Sequence, residues 1–245
     1  MVSSNPNYDH YSADMVGRLD GFYGRVDTRM NEKVTQWVSG EKVLDIGCGF
    51  GQLVEYLRIK GYDATGIDML PEFIKVGKRR FPNAHLLSME FDDLVSTGNL
   101  FDTVILKDTL HHIWDESDVS RFLQQVKEVC CQRILILDPN PTLLLRLARW
   151  IIKHKDPFCS PEEAKKSLSE AGFVLVYEDY AEFLAFPLSG GFIGKEMIGN
   201  YAIGSIILTL DRIIVKFLRT ISLSKIFCWR YLLVADVQDS LRKQV

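Results

Sequence analysis

The chain has 245 residues, long enough for one large α/β domain with a filled core. Its formal net charge of −3, with 47% hydrophobic and 25% charged residues, is ordinary for a globular protein and argues against a nucleic-acid binder that relies on a basic surface. The five scattered cysteines form no CxxC pair and no zinc-like cluster with histidine, which predicts reduced thiols, a cytoplasmic location and no metal site. No apolar run reaches the roughly 18 residues of a membrane span.

Strand-like and helix-like segments alternate along the chain. A helical pattern over residues 18–38 comes first and is closed by Ser39 and Gly40. Seven strands are expected after it, over residues 42–46, 63–68, 84–89, 101–106, 133–138, 173–179 and 230–237. Helices are expected between them, over residues 52–60, 70–81, 115–130 and 160–172. The last of these helices begins with a capping box that pairs Ser160 with Glu163.

This alternation predicts a doubly wound, Rossmann-like α/β fold. It should have a mostly parallel seven-stranded sheet, helices on both faces, and a C-terminal helical insertion before the last strand. Sheets of this kind bind ligands at the carboxyl ends of their strands. We expect four segments: an N-terminal helical segment at 1–39, a cofactor-binding core at 40–180, an insertion at 181–229, and the last strand with a tail at 230–245.

The first strand ends in VLDIGCGFG, in which Gly47, Gly49 and Gly51 follow the acid Asp45. A strand that turns directly into a helix brings its last peptides close to whatever lies over the helix N-terminus, and a Cβ there would obstruct the approach. A turn alone needs one or two glycines, so the alternating set indicates a nucleotide-like ligand. The dinucleotide motif GxGxxG would need a third glycine where Gln52 stands.

Asp68 ends the second strand, 17 residues after Gly51. A carboxylate at that place can accept hydrogen bonds from both hydroxyls of a ribose, because its two oxygens match two adjacent donors. A dinucleotide would use the same acid, so Asp68 supports a ribose without choosing the cofactor.

The stretch VLDIGCGFG closely resembles the first motif of class I S-adenosylmethionine-dependent methyltransferases. In that family the strand-end acid bonds the amino end of the methionine moiety, which implies this role for Asp45. The stretch SMEFDDL at 88–94 resembles the third motif, with Glu90 in the place of the acid that receives the adenine amino group. FDTVILKDTLHHIWD at 101–115 resembles the fourth-strand region of the branch containing quinone and sterol methyltransferases.

The resemblance covers residues 40–180 and implies S-adenosylmethionine as the cofactor. The cofactor-binding residues that it implies are Asp45, Gly47, Cys48, Gly49, Gly51, Asp68, Met69, Glu90, Phe91 and Lys107. His111 is the candidate catalytic base, because an imidazole is poised near neutral pH. The other candidates for this base, at the end of the fourth strand, are His112, Lys107 and Asp108. The two adjacent histidines could instead contact the cofactor or cap the next helix.

Several alternatives stay open. A nicotinamide-dependent oxidoreductase on a Rossmann fold and a non-catalytic module that kept the fold are the rival functions. Within the third motif, Asp92 or Asp93 could replace Glu90. Asp138 to Asn140, at the end of the fifth strand, is either part of the substrate rim or a simple turn. The N-terminal segment, with Tyr8, His10, Tyr11 and Tyr23, is either a lid over the cofactor, as in resembling enzymes, or an ordinary tail.

About fifty residues separate the sixth strand from the last one, where the family's core needs only a hairpin. Residues 192–232 carry six basic side chains against two acidic ones. An apolar stripe runs through the segment at helical spacing, formed by Ile206, Ile207, Leu210, Ile213, Ile214, Phe217, Leu218 and Ile221, while Asp211, Arg212, Lys216 and Arg219 fall away from it.

A second basic amphipathic pattern covers residues 142–155, with Arg146, Arg149 and Lys153 along one side. Both helices could form a lid, a homodimer interface or a peripheral contact with an anionic membrane. Each arrangement gives the substrate site an apolar wall. This wall favours a small-molecule or lipid-like acceptor.

Overall fold

The computed structural model describes residues 13–116, 119–152, 158–190 and 196–238. Within these ranges, seven strands form a sheet in the order β3-β2-β1-β4-β5-β7-β6. The first five strands are parallel, and β7 lies antiparallel between β5 and β6. The bounds are β1 (Lys42–Ile46), β2 (Asp63–Asp68), β3 (His85–Ser88), β4 (Phe101–Lys107), β5 (Cys130–Pro139), β6 (Phe173–Ala181) and β7 (Arg230–Val237).

Helices cover both faces of this sheet, which confirms the predicted fold class. A 3-10 helix at Ala13–Asp20 precedes them. The α-helices are α1 (Phe22–Thr35), α2 (Gln52–Ile59), α3 (Pro71–Arg80), α4 (Phe91–Ser96), α5 (Leu110–Glu116), α6 (Val119–Val129), α7 (Leu143–Ile152), α8 (Pro161–Glu170), α9 (Ala185–Leu188), α10 (Tyr201–Thr220) and α11 (Ser224–Phe227).

The two faces of the sheet carry separate hydrophobic cores. Successive side chains of a strand point to opposite faces, so Val43 and Leu44 of β1 belong to different clusters. Residues of α1, α2 and α3 fill the core on the Val43 side. Residues of α6 and α8 fill the core on the Leu44 side. The strands between them are buried on both faces, as expected of parallel strands covered by helices.

Two local predictions differ from the structure in detail. The helical pattern over 18–38 is present as the end of a 3-10 helix followed by α1, which ends at Thr35. The helix predicted over 115–130 is divided into α5 and α6, and α5 begins right after β4, where Asp108 has a left-handed φ of +55°. The insertion includes the short helix α9 (Ala185–Leu188) soon after β6.

Other local predictions are confirmed. The strands β1, β2 and β7 have the predicted bounds, and Ser160 forms its capping box with Glu163 at the start of α8. All five cysteines are free thiols. None of the described helices has the length and hydropathy that crossing a bilayer requires.

The insertion between β6 and β7 is anchored to the core by a buried carboxylate. Oδ1 of Asp211, on α10, accepts hydrogen bonds from the backbone N–H groups of residues 183, 184 and 185 at 2.6–3.0 Å. Its Oδ2 accepts a hydrogen bond from Arg29 of α1 at 2.6 Å. The sequence separated Asp211 from the apolar stripe, yet Asp211 is one of the most buried residues of α10. It joins three elements at the carboxyl edge of the sheet.

Candidate functional site

The turn after β1 places three glycines in the left-handed region, with φ of +73° at Gly47, +54° at Gly49 and +80° at Gly51. A Cβ on Gly47 would lie 2.5 Å from the Thr109 hydroxyl, and a Cβ on Gly51 would lie 2.5 Å from the Leu86 side chain. A Cβ on Gly49 would meet nothing within 4 Å. Two glycines therefore allow close packing, and the middle one borders open space in which a ligand could approach the backbone.

Cys48 lies between these glycines and faces the neighbouring strand. Its backbone N–H donates to the Ile67 carbonyl at 3.0 Å, and a Cβ on Gly66 would lie 2.8 Å from its sulfur. Burial raises the pKa of the Cys48 thiol well above its ordinary value. The thiol is therefore neutral at physiological pH and packs against β2.

Asp45 is a buried carboxylate, and one of its oxygens accepts no hydrogen bond from the described residues. Its exposed fraction is 2%, and Oδ1 has no hydrogen-bond partner among the described residues. Burial raises the pKa of Asp45 to about 7, with Lys107 opposing the shift and Asp68 adding to it. A buried acid without a partner is costly. An ammonium group supplied by a ligand would meet this need.

Asp68 connects the end of β2 to the glycine turn. Its Oδ2 accepts from the Gly49 N–H at 2.9 Å, and its Oδ1 accepts from the Leu70 N–H at 2.9 Å. Burial raises the pKa of the Asp68 carboxyl, while these two backbone bonds oppose the increase. Each carboxylate oxygen can accept a further hydrogen bond, so two ribose hydroxyls could still be bound. Met69, the next residue, has an exposed side chain beside this carboxylate.

Glu90 and Phe91 form the start of α4. Glu90 is the N-cap residue, its side chain makes no capping bond, and it is exposed. Asp92 accepts a hydrogen bond from Gln125 at 3.0 Å. The Phe91 ring packs against Phe122, with 5.0 Å between ring centroids, while its backbone N–H belongs to the first turn, where a helix has no partners of its own. The roles expected for Glu90 and the Phe91 amide stay predictions.

Lys107, at the end of β4, forms an ion pair with Asp27 of α1. Burial by itself would lower the pKa of Lys107, but the carboxylates of Asp27 and Asp108 outweigh it and raise the pKa. The lysine is therefore charged and links the N-terminal helix to the sheet edge. Its expected contact with the cofactor stays a prediction.

His111 and Asp138 form a buried pair that joins the ends of two adjacent strands. His111 lies on α5, just after β4, and Asp138 is near the end of β5. The distance from His111 Nδ1 to Asp138 Oδ1 is 2.9 Å, and His111 is 4% exposed. Burial raises the pKa of Asp138, opposed by the neighbouring imidazole. The His112 ring lies 4.1 Å from that of His111. Asp138 is thus a strand residue directed at His111, not a turn residue.

The comparisons with known proteins point to one family. A family model described as "Methyltransferase domain" matches residues 43–133, which include the glycine turn, Asp68, Glu90 and His111. Residues 43–133 therefore carry a methyltransferase domain. The sequence motifs predicted that this domain is of the class I type and uses S-adenosylmethionine, and the comparisons support both predictions.

A ubiquinone biosynthesis O-methyltransferase of Azorhizobium caulinodans is 26% identical over 179 residues, which are 62% of this chain and 66% of that protein. The match therefore spans slightly less than two thirds of the length of this relative.

Solved structures show the same fold as this methyltransferase domain. A SAM-dependent methyltransferase from Archaeoglobus fulgidus has a TM-score of 0.61 at 19% identity, covering 87% of this chain and 94% of that one. The magnesium protoporphyrin IX methyltransferase of Synechocystis, solved with bound SAH, has a TM-score of 0.58 at 17% identity, covering 95% and 92% of the two chains.

A charged cluster that the sequence did not predict also lies at the carboxyl edge of the sheet. Arg230, the first residue of β7, lies 3.2 Å from Asp108 Oδ2 and 3.4 Å from Glu182 Oε2, and its guanidinium lies 4.4 Å from the centre of the Phe186 ring. Burial raises the pKa of Glu182 to about 7, although Arg230 and Arg29 oppose the shift. Glu182 and Arg230 retain buried atoms without a hydrogen-bond partner among the described residues.

Backbone strain accompanies these unmet hydrogen bonds. Asp108 and Glu182 both have a left-handed φ, +55° and +65°, which is costly for a residue with a Cβ. Strain and unsatisfied buried polar groups concentrate at functional sites. Tyr23 of α1 borders the cluster, since Asp108 and Arg230 act on its pKa, which burial raises. Tyr8, His10 and Tyr11 lie outside the described residues.

Proposed function

We propose that the chain transfers a methyl group from S-adenosylmethionine to a hydroxyl of a small, lipid-like acceptor. The hydroxyl is favoured because curated relatives are named O-methyltransferases of ubiquinone biosynthesis. The observation that carries the proposal is the Asp45 carboxylate without a hydrogen-bond partner, on the strand that leads into the glycine turn, because it calls for a cationic ligand there; the open space at Gly49 would let that ligand approach the turn.

The residues of this edge fit the cofactor in chemistry. Asp45 would bind its amino group, Asp68 its ribose, and Glu90 with the Phe91 N–H its adenine. When bound, the cofactor supplies an electrophilic methyl group. The protein's contribution is then to align the acceptor hydroxyl and to exclude water from it.

In this proposal His111 removes the proton from the acceptor hydroxyl. Asp138 accepts the Nδ1–H of His111 and so keeps Nε2 free to take the acceptor's proton. Once His111 has gained that proton, the buried Asp138 carboxylate beside it stabilises the imidazolium. Asp138 acts through His111 and is a positioning residue. The cluster of Arg230, Glu182 and Asp108 would contact the polar end of the acceptor.

The test is transfer of a labelled methyl group to prenylated phenols and catechols. His111→Ala should lower kcat by about 10²–10⁴-fold while the affinity for S-adenosylhomocysteine stays unchanged. Asp138→Asn should also lower kcat, because an asparagine amide that donates to Nδ1 leaves the proton on Nε2. The matched control is His85→Ala, because His85 is at the start of β3 and, within the described part of the chain, its side chain forms a hydrogen bond with Thr65 and not with the His111–Asp138 pair. A His111→Ala enzyme that turns over at the wild-type rate would refute this role.

Calorimetry separates the rival functions. Binding of a nicotinamide dinucleotide in preference to S-adenosylhomocysteine would favour the oxidoreductase. Cofactor binding without any label transfer to lipid and phenolic extracts would favour a non-catalytic module.

A further inference from the structure

Helix α10 has an exposed apolar face. Six large side chains on α10 and directly after it are between 43% and 60% exposed: Ile203, Ile206, Leu210, Ile213, Phe217 and Ile221. With 3.6 residues per turn, these six side chains lie within an arc of about 80° around the helix axis. The helix has 20 residues, so this face extends for about 30 Å. An apolar surface of this length on one helix indicates a binding surface rather than scattered exposed residues.

The opposite side of α10 already holds it to the protein. Gly204, Asp211, Val215 and Leu218 are buried. A Cβ on Gly204 would lie 2.8 Å from Phe22, and Asp211 is bonded to α1 and to the segment before α9. The predicted stripe is thus divided: Leu218 packs inward, while five of its members are exposed together with Ile203, which was not part of the predicted stripe. Rotating α10 to cover them would break these contacts.

Two cations lie on the solvent side of α10, beyond one edge of this face: around the helix axis, Lys216 is about 60° and Arg212 about 100° from Ile213. Arg212 and Lys216 are exposed, and within the described part of the chain neither forms an ion pair. Arg219 differs from them because Asp179 accepts its hydrogen bond at 2.6 Å. The whole chain has a net charge of −3, so uncompensated basic residues beside an apolar face are a local feature.

A second helix presents similar chemistry at the same edge of the sheet. Trp150 on α7 is 77% exposed, and Leu143 and Leu147 of the same helix are also exposed. Asn140, just before α7, donates to the carbonyls of Lys225 and Cys228 in the segment that follows α10. The beginning of α7 and the end of the insertion are therefore neighbours.

We propose that the apolar face of α10 docks on an anionic lipid surface. The six apolar side chains would insert at the boundary between the headgroups and the acyl chains, and Arg212 and Lys216 would pair with lipid phosphates. Tryptophan suits such a boundary, because one end of the ring is apolar and the other can bond to water. A second copy packed face to face through α10 could cover the apolar side chains, but the only carboxylate of α10, Asp211, is buried, so that contact would bring more cations and no accessible carboxylate of α10 to Arg212 and Lys216.

This inference deepens the proposed function, because it implies that the acceptor is taken from the membrane. The lipid contact itself does not require methyl transfer. The two ideas can therefore fail separately.

The test is flotation of the full chain with vesicles of phosphatidylcholine alone or mixed with phosphatidylglycerol. We expect binding to the mixed vesicles, roughly tenfold weaker binding without the anionic lipid, and further weakening by salt. Ile213→Glu combined with Phe217→Glu should abolish binding. Arg212→Glu combined with Lys216→Glu should remove the preference for anionic lipid. Ile59→Glu, at an exposed apolar residue at the end of α2, is the matched control and should bind normally.

Several outcomes would overturn the docking proposal. One is a wild-type chain that stays in the soluble fraction at low salt. Another is an Ile213→Glu/Phe217→Glu variant that binds vesicles as well as the wild type does. A third is a wild-type chain that binds no vesicles but forms a dimer, which the same two substitutions dissociate. The same variant should still methylate a water-soluble acceptor, because it leaves the cofactor edge untouched. Normal vesicle binding by a wild-type chain that transfers no methyl group would refute the proposed function and leave the docking surface intact.

Discussion

Replacing Gly49 with alanine should weaken cofactor binding and lower the stability of the fold only slightly. Gly49 has φ +54°, and an added Cβ would meet nothing within 4 Å. The only structural penalty is therefore the left-handed backbone, about 1–2 kcal/mol, or a decrease in Tm of roughly 2–8 °C for a domain of this size. Gly98→Ala is a matched control, because its φ is +69° and its Cβ would also meet nothing.

The two variants should differ only in binding. The new methyl group at residue 49 occupies the space through which the ligand approaches the turn, and overpacking of this kind costs about 1–3 kcal/mol, or roughly fivefold to a hundredfold in affinity. Gly98 lies after α4, away from the turn. Calorimetry with S-adenosylhomocysteine measures the affinity, and thermal unfolding measures the stability. Full affinity in Gly49→Ala would show that the open space beside this glycine is not the cofactor site.

Two further predictions concern the carboxylates. Asp68→Ala should weaken cofactor binding by about 1–3 kcal/mol, because the ribose hydroxyls lose their acceptors. Affinity should also depend on pH through Asp45, whose pKa is about 7 and whose ionised form binds an ammonium group. As the pH falls from 8 to 6 the ionised fraction falls about tenfold, and the affinity for S-adenosylhomocysteine should fall with it. Both are measured by calorimetry.

Each of these has its own control. Asp45→Asn cannot titrate, so its affinity should be weak and nearly independent of pH; a slope that persists in this variant would assign the titration to another group. Asp68→Ala also removes the acceptor of the Gly49 and Leu70 N–H groups, so its stability is measured alongside. Unchanged affinity in a folded Asp68→Ala chain would contradict the ribose role.

The sequence by itself determined the features that arise from neighbours along the chain. The bounds of β1 and β2, the turn at Gly47 to Gly51, and the Ser160 capping box all depend on short-range signals: apolar runs, glycines and a cap with its partner three residues away. Backbone sterics and local hydrogen bonds act over a few residues, so a motif predicts them directly. The residues expected to hold the cofactor were chosen from the same kind of signal, since Asp45, Asp68 and Lys107 lie at the ends of predicted strands; their roles stay predictions.

Only the tertiary structure decided which distant groups meet. The antiparallel insertion of β7 between β5 and β6 brings Arg230 to Asp108 and Glu182, and the pairing of β4 with β5 brings Asp138 to His111. Likewise, the contacts of Asp211 orient α10 and so decide which part of its apolar stripe is exposed. These contacts join residues between 26 and 182 positions apart, so they depend on strand order and helix docking. No pattern along one segment specifies those long-range choices, because they are settled by the packing energy of the whole domain.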